Sequence, residues 1–193
     1  MVQMLLVRAG STDFDEQGRI KGTLDIPLNE AGQGQVAKLI GDLHTVEIAH
    51  LYCSPCRAAQ QTAEALGADH RMKPKVLDEL QNLDHGLWHG KLIDEVRISQ
   101  PRVFRQLQEH PETVCPPRGE PVGHALERVR GVITRLVRKH RTGTVALVVP
   151  EPLASLVRAT LSQGELGDLW KAECESGGWQ LIDVKPEQMA MAS

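Results

Sequence analysis

The chain has 193 residues, 41% of them hydrophobic and 24% charged, with a formal net charge of -3. That length suits one globular domain with a full core, and no basic stripe suggests a nucleic-acid partner. The apolar runs are far too short to cross a membrane, and the opening MVQMLLVRAG carries neither a basic leader nor an apolar stretch of secretory length.

Taken in chain order, Met4 to Val7 reads as a buried strand. Val36, Leu39, Ile40 and Leu43 then recur at helical spacing. His50 to Cys53 is a shorter strand candidate, followed by Ser54 as predicted N-cap and Pro55 as first helical residue. The Pro-rich stretch His110 to Pro121 predicts a surface loop. Val122, Leu126, Val129, Ile133, Leu136 and Val137 form a longer helical stripe, and the basic run Arg138 to Arg141 before Gly143 suits its C-terminal end. Val145 to Val149 is a second buried strand, running into Pro150-Glu151-Pro152, which opens another helix. Trp179 to Val184 is a late strand. The single domain is expected to span 1–185, with a fraying tail over 186–193.

Strands separated by helices imply an α/β fold with a mainly parallel sheet covered on both faces. In such sheets ligands bind at the carboxyl ends of strands, where helix N-termini offer free N–H groups. A site should therefore be built around Arg8, Ser54 and Glu151. The four cysteines, Cys53, Cys56, Cys115 and Cys174, are scattered unevenly. They form no disulfide framework, which fits a reducing, cytoplasmic setting.

Several segments resemble one family in the right order. LVRAGST (Leu6 to Thr12) is similar to L-V-R-H-G-E-T, and GRIKGTLDIPLNEAGQGQVAKL (Gly18 to Leu39) to G-R-x-Q-G-x-x-D-x-P-L-x-x-x-G-x-x-Q-A-x-x-L. LYCSPCRAAQQTAEAL (Leu51 to Leu66) resembles I-Y-S-S-P-L-x-R-A-x-Q-T-A-E-x-L, and ELQNLDHGLWHG (Glu79 to Gly90) resembles x-L-R-E-x-x-F-G-x-W-E-G. PRGEP (Pro117 to Pro121) looks like P-x-G-E-S, and ALVVPEPL (Ala146 to Leu153) sits where L-V-V-S-H-G-G belongs. These are the marks of the histidine phosphatase superfamily of phosphoglycerate-mutase type. The resemblance implies a three-layer α/β/α sandwich.

It also implies a chemistry. A histidine attacks the phosphoryl group, two arginines and a second histidine hold the phosphate oxygens, and a carboxylic acid protonates the leaving oxygen. In this sequence the nucleophile falls on Ala9, the second arginine on Ala58, the acid on Asn82 and the second histidine on Glu151. The first arginine survives as Arg8, and an asparagine that borders the phosphate falls on Asp15. No catalytic residue is expected, and the chain reads as a degenerate member that binds an unspecified small ligand or protein. Residual phosphatase or mutase activity through non-standard residues is the alternative. Candidate ligand-binding residues are Arg8, Thr12, Asp15, Thr23, Ser54, Arg57 and Glu151. Arg57 stands one residue from the lost arginine, but that step turns a helix by about 100°. Glu79 would replace the acid only if the loop shifted by three residues.

Losing a cation at residue 58 and gaining carboxylates at 15 and 151 disfavours phosphate. A carboxylate ~4 Å from a phosphate charge is repelled by about 4 kcal/mol at an effective dielectric of 20. Glu151 at a helix N-terminus would pair with Arg8 and take the phosphate's place. A sharper alternative has Asp15 and Glu151 binding a cationic or amine ligand.

Two other constellations stand out. Cys53-Ser54-Pro55-Cys56 has the layout of a thioredoxin-like redox motif. The family frame already accounts for the segment, which favours buried, inert thiols. Asp84, His85 and His89 could hold a metal, but Gly86 and Gly90 indicate a loop, and His85 matches a place the family often gives to an aromatic. No metal and no cofactor are expected. Oligomeric state stays open.

Overall fold

The computed structural model describes residues 2–184; the tail expected to fray lies outside the described residues. Among the described residues five strands form one sheet: β1 (Val2–Arg8), β2 (His50–Cys53), β3 (Lys75–Val76), β4 (Gly143–Val149) and β5 (Trp179–Val184), in the order β3-β2-β4-β1-β5. All neighbours are parallel except β5, which runs antiparallel to β1 along the sheet's edge.

Among the described residues eight α-helices accompany the strands. They are α1 (Asp13–Glu16), α2 (Glu30–Leu43), α3 (Arg57–Asp69), α4 (Ile93–Ser99), α5 (Pro101–Glu109), α6 (Val122–Lys139), α7 (Leu153–Ser162) and α8 (Leu169–Glu173). Side chains of β1 alternate between the two faces of the sheet. Leu5 and Val7 join Leu39 and Leu43 of α2 and Ala59, Ala63 and Leu66 of α3 in one core. Met4 and Leu6 join Val129 and Ile133 of α6 and Leu153 and Val157 of α7 in the other. Each fully buried aliphatic side chain contributes about 1.5–3 kcal/mol, so both faces hold the sheet. The result is the expected α/β/α arrangement. Among the described residues no helix is long and apolar enough to cross a membrane.

The local signals resolve unevenly. Asn29 caps α2 by accepting from the Gly32 N–H at 2.8 Å. The predicted cap of α3 is corrected: Cys56, not Ser54, precedes the helix, because the Ser54 hydroxyl is committed to the carbonyl of Leu80. The predicted surface loop 110–121 is only partly one. It contains a 3-10 turn over Pro111–Thr113, and Pro111 and Val114 are buried against α6. β3 and α1 gave no sequence signal, since two exposed residues or a single turn carry no periodicity.

Candidate functional site

The carboxyl ends of β1 and β4 lie side by side, with Arg8 paired to Val149 in register. A cleft opens there, lined by Ala9, Thr12, Asp15, Lys21, Cys56, Ala58, Asn82, Glu151 and Glu175 among others. Its cavity volume is about 20 Å³, room for one water.

Arg8 is engaged on two sides. Its Nε donates to the carbonyl of Gly177 at 2.7 Å, and its Nη1 donates to the Glu175 carboxylate. Glu151 lies farther off, 3.9 Å from Nη1. The expected Arg8–Glu151 pair thus exists only as the weaker of two contacts, and Glu175 holds the closer place. The segment bearing Glu175 is fixed from behind: Gly177 N–H donates to the Ala9 carbonyl at 2.8 Å, and Arg8 N–H donates to Gly178 at 3.0 Å. Both glycines take positive φ, 65° and 79°, and a Cβ on Gly178 would stand 3.0 Å from Arg8 Nη2. Only glycine allows this approach without strain.

Glu151 is 5% exposed and accepts from the Ser155 N–H at 3.0 Å, in the first turn of α7. Burial pushes its carboxyl up to about 7, Glu175 adding to the shift while Ser155 and Arg8 oppose it. Asn82 is spent on structure: its amide donates to the carbonyls of Gly22 and Glu151, both at 3.1 Å. Its oxygen accepts from Leu153 N–H at 3.3 Å. It clamps three segments together and has no proton to deliver.

Asp15 is not available to an amine, which corrects that expectation. One oxygen accepts from both the backbone N–H and the hydroxyl of Thr12, at 2.7 Å each, and the other takes the ammonium of Lys21. Lys21, 7% exposed, also donates through Nζ to the Glu173 carbonyl at 3.1 Å and through its backbone N–H to the Glu173 carboxylate at 2.9 Å. Burial alone would pull the Lys21 pKa down, but Glu173, Asp15 and Glu151 outweigh it and the ammonium is held above its ordinary value. Glu173, 2% exposed, is pushed up by burial but brought below the usual range by His85 and Lys21. The cleft therefore regains, at Lys21, a cation that the loss at Ala58 removed.

The remaining candidates fall outside the cleft. Arg57 is exposed, and its backbone N–H donates to Asp25 at 2.7 Å. Ser54 is buried under Leu80, and the backbone of Thr23 donates to His89 Nε2 at 3.3 Å. Glu79 pairs outward with Arg135 of α6 at 2.8 Å. His89 is the imidazole nearest Gly22, but its Nε2 accepts from Thr23 and His85 N–H groups, so that lone pair is occupied. His85 does more than pack as an aromatic: its Nε2 lies 3.6 Å from the Glu173 carboxylate. Burial pushes the thiols of Cys53 and Cys56 up to about 12 and about 11, which removes thiolate character at neutral pH.

Sequence reading missed Lys21, Glu173 and Glu175. Lys21 had a signal, standing where the quoted family pattern has glutamine. Glu173 and Glu175 had none, since they reach the cleft from a segment that matches no motif.

Residues 4–193 match the histidine phosphatase superfamily (branch 1). The chain is 28% identical over 186 residues to phosphoserine phosphatase 1 of Hydrogenobacter thermophilus, covering 96% of this chain and 88% of that protein. It is 32% identical over 165 residues to a bifunctional protein of Mycobacterium tuberculosis, covering 84% of this chain but only 45% of that protein. Among solved structures, Bacillus stearothermophilus YhfR superposes with a TM-score of 0.83 at 28% identity, over 96% of this chain and 92% of that one. With the strand-end cleft in the place the motifs require, the chain belongs to the histidine phosphatase superfamily.

Proposed function

We propose that this protein is a catalytically inactive histidine phosphatase that acts by binding a small ligand or a protein. The observation that carries the reading is the methyl group of Ala9 at the end of β1, facing a cleft whose other groups are already paired. A phosphoryl transfer to the chain needs a lone pair at that strand end. The groups near it do not supply one: Lys21 is held as an ammonium, the Cys56 thiol stays protonated, the Thr12 hydroxyl donates to Asp15, and His89 uses its Nε2 on backbone N–H groups. The free state of the cysteines is in keeping with a cytoplasmic setting.

The test is turnover of an aryl phosphate and of phosphoserine by purified protein, beside Ala9→His and a fourfold variant (Ala9→His, Ala58→Arg, Asn82→Glu, Glu151→His). No turnover is expected in the wild type or in Ala9→His. An acid-labile phosphoryl adduct on the wild type would sink the reading. The near full-length likeness to a phosphoserine phosphatase favours the competing one, residual hydrolysis of a phosphate monoester, and the same assay decides between them.

A further inference from the structure

The two edges of the sheet are built differently. An open strand edge presents unpaired N–H and C=O groups, and proteins guard it with shortness, lysine or proline. β3 has all three guards: it is two residues long, carries Lys75, and follows Lys73 and Pro74. β5, at the opposite edge, has none. It runs for six residues, WQLIDV, in unbroken register with β1, and contains neither lysine nor proline. Among the described residues no strand pairs with its outer side.

The phase of the ladder decides which groups are free. Arg8 N–H donates to the Gly178 carbonyl at 3.0 Å, and Val7 stands opposite Trp179. Bonded and non-bonded pairs alternate along an antiparallel ladder. Gln180, Ile182 and Val184 therefore direct their backbone groups to β1, and Trp179, Leu181 and Asp183 direct theirs outward. The side chains of these same three residues share the α2 face of the sheet, where the Trp179 indole N–H reaches Asp42 of α2 at 3.4 Å. Trp179 and Leu181 are 41% and 40% exposed. Asp183 accepts from the side-chain amide of Gln3 at 3.0 Å.

We propose that a second copy of this chain adds its β5 to this edge, antiparallel, about a two-fold axis at Leu181. The strand is self-complementary in that register. Leu181 meets Leu181 of the partner subunit, and Trp179 meets Asp183 of the partner subunit on either side of the axis. Each pair exchanges both of its N–H···O bonds, so every outward backbone group is satisfied. The side chains agree with the backbone. Leucine packs on leucine, and the indole N–H, held by Asp42 only at 3.4 Å, faces a second carboxylate. The two Asp183 carboxylates stand about 14 Å apart along the strands, beyond a Debye length. Sliding the pair by two residues either way leaves Trp179 or Asp183 opposite a residue outside the strand.

This surface lies outside the Arg8 cleft, and its test is independent of catalytic inactivity. Sedimentation velocity on the full chain reads it directly. The wild type is expected to pass from monomer to dimer with a dissociation constant of about 10–100 μM, as suits a small interface held by main-chain bonds. Leu181 faces itself across the axis. Leu181→Lys and Leu181→Asp should therefore each weaken association about tenfold, through like charges directly opposite. Mixing the two variants in equal amounts should restore it, because lysine then faces aspartate. Leu181 is exposed, so neither change empties the core, and thermal melting of each variant verifies the fold. The proposal is overturned if the wild type stays monomeric at about 500 μM, whether residues 185–193 or another protein covers the edge. It is equally overturned if Leu181→Lys dimerises like the wild type, or if the mixture stays monomeric.

Discussion

The carboxylate of Glu175 sits on the guanidinium of Arg8, closer than Glu151, which stands 3.9 Å away. The residue that would grip a phosphate is gripped instead by the chain. Replacing Glu175 with Gln should therefore free Arg8. Because Glu175 is well exposed, solvent screens much of the effect, and an increase in phosphate affinity of about tenfold is expected. Titration calorimetry with inorganic phosphate checks this, and unchanged affinity would mean that Glu175 is not the block.

Glu151 makes stability depend on pH. Its folded pKa, about 7, lies above the ordinary 4.5, so between those values the folded state binds more protons than the unfolded one. Stability therefore falls as pH rises through this window, by about 3 kcal/mol in all. Burial drives the shift and Glu175 adds to it, while Ser155 and Arg8 oppose it; Glu151 in turn helps to raise Lys21. His89 and His140, lowered by burial, act in the opposite sense at the acid end. The difference between wild type and Glu151→Gln isolates the term: Gln should raise the melting temperature at about pH 8 and leave it little changed at about pH 5. Parallel curves would refute the assignment.

Lys21 neutralises a buried acidic pair. Lys21→Met leaves Asp15 and Glu173 without their cation, which should destabilise the fold by about 3–5 kcal/mol. Urea unfolding measures it. A loss below about 1 kcal/mol would show that the two carboxylates find other partners or protons.

The thiols offer a simpler check. Cys115 and Cys174 are exposed, Cys53 is buried, and Cys56 is half-buried with its thiol pushed up to about 11. A disulfide reagent at neutral pH should modify Cys115 quickly, Cys174 more slowly because burial and Glu173 push its thiol up, and Cys53 and Cys56 only on unfolding. Rapid oxidation of Cys53 with Cys56 would revive the redox reading.

Most of the sheet was legible: β1, β2 and β4 are continuous apolar runs that are almost wholly buried, β2 and the exposed edge strand β5 match their predicted limits, and β1 and β4 extend theirs by a few residues. Helical stripes between those runs implied a mainly parallel sheet covered on both faces, and the family resemblance implied the three-layer sandwich. The positions of Ala9, Ala58 and Asn82 were legible from the motifs, and all three do line the cleft. Its electrostatics were not. Ion pairing depends on where distant segments cross, and the Glu173 to Gly178 stretch meets β1 from about 170 residues away in sequence. Ser54 misled for a similar reason: a hydroxyl that could cap a helix found a buried carbonyl instead.

The stretch carrying Glu175 is hydrogen-bonded to both Arg8 and Ala9, and this bears on kinetics. Anything that needs Glu175 displaced must first peel that stretch from the strand, breaking two backbone bonds. Entry to the old cleft would then be limited by opening and not by encounter, with association rates that stop rising as ligand concentration grows.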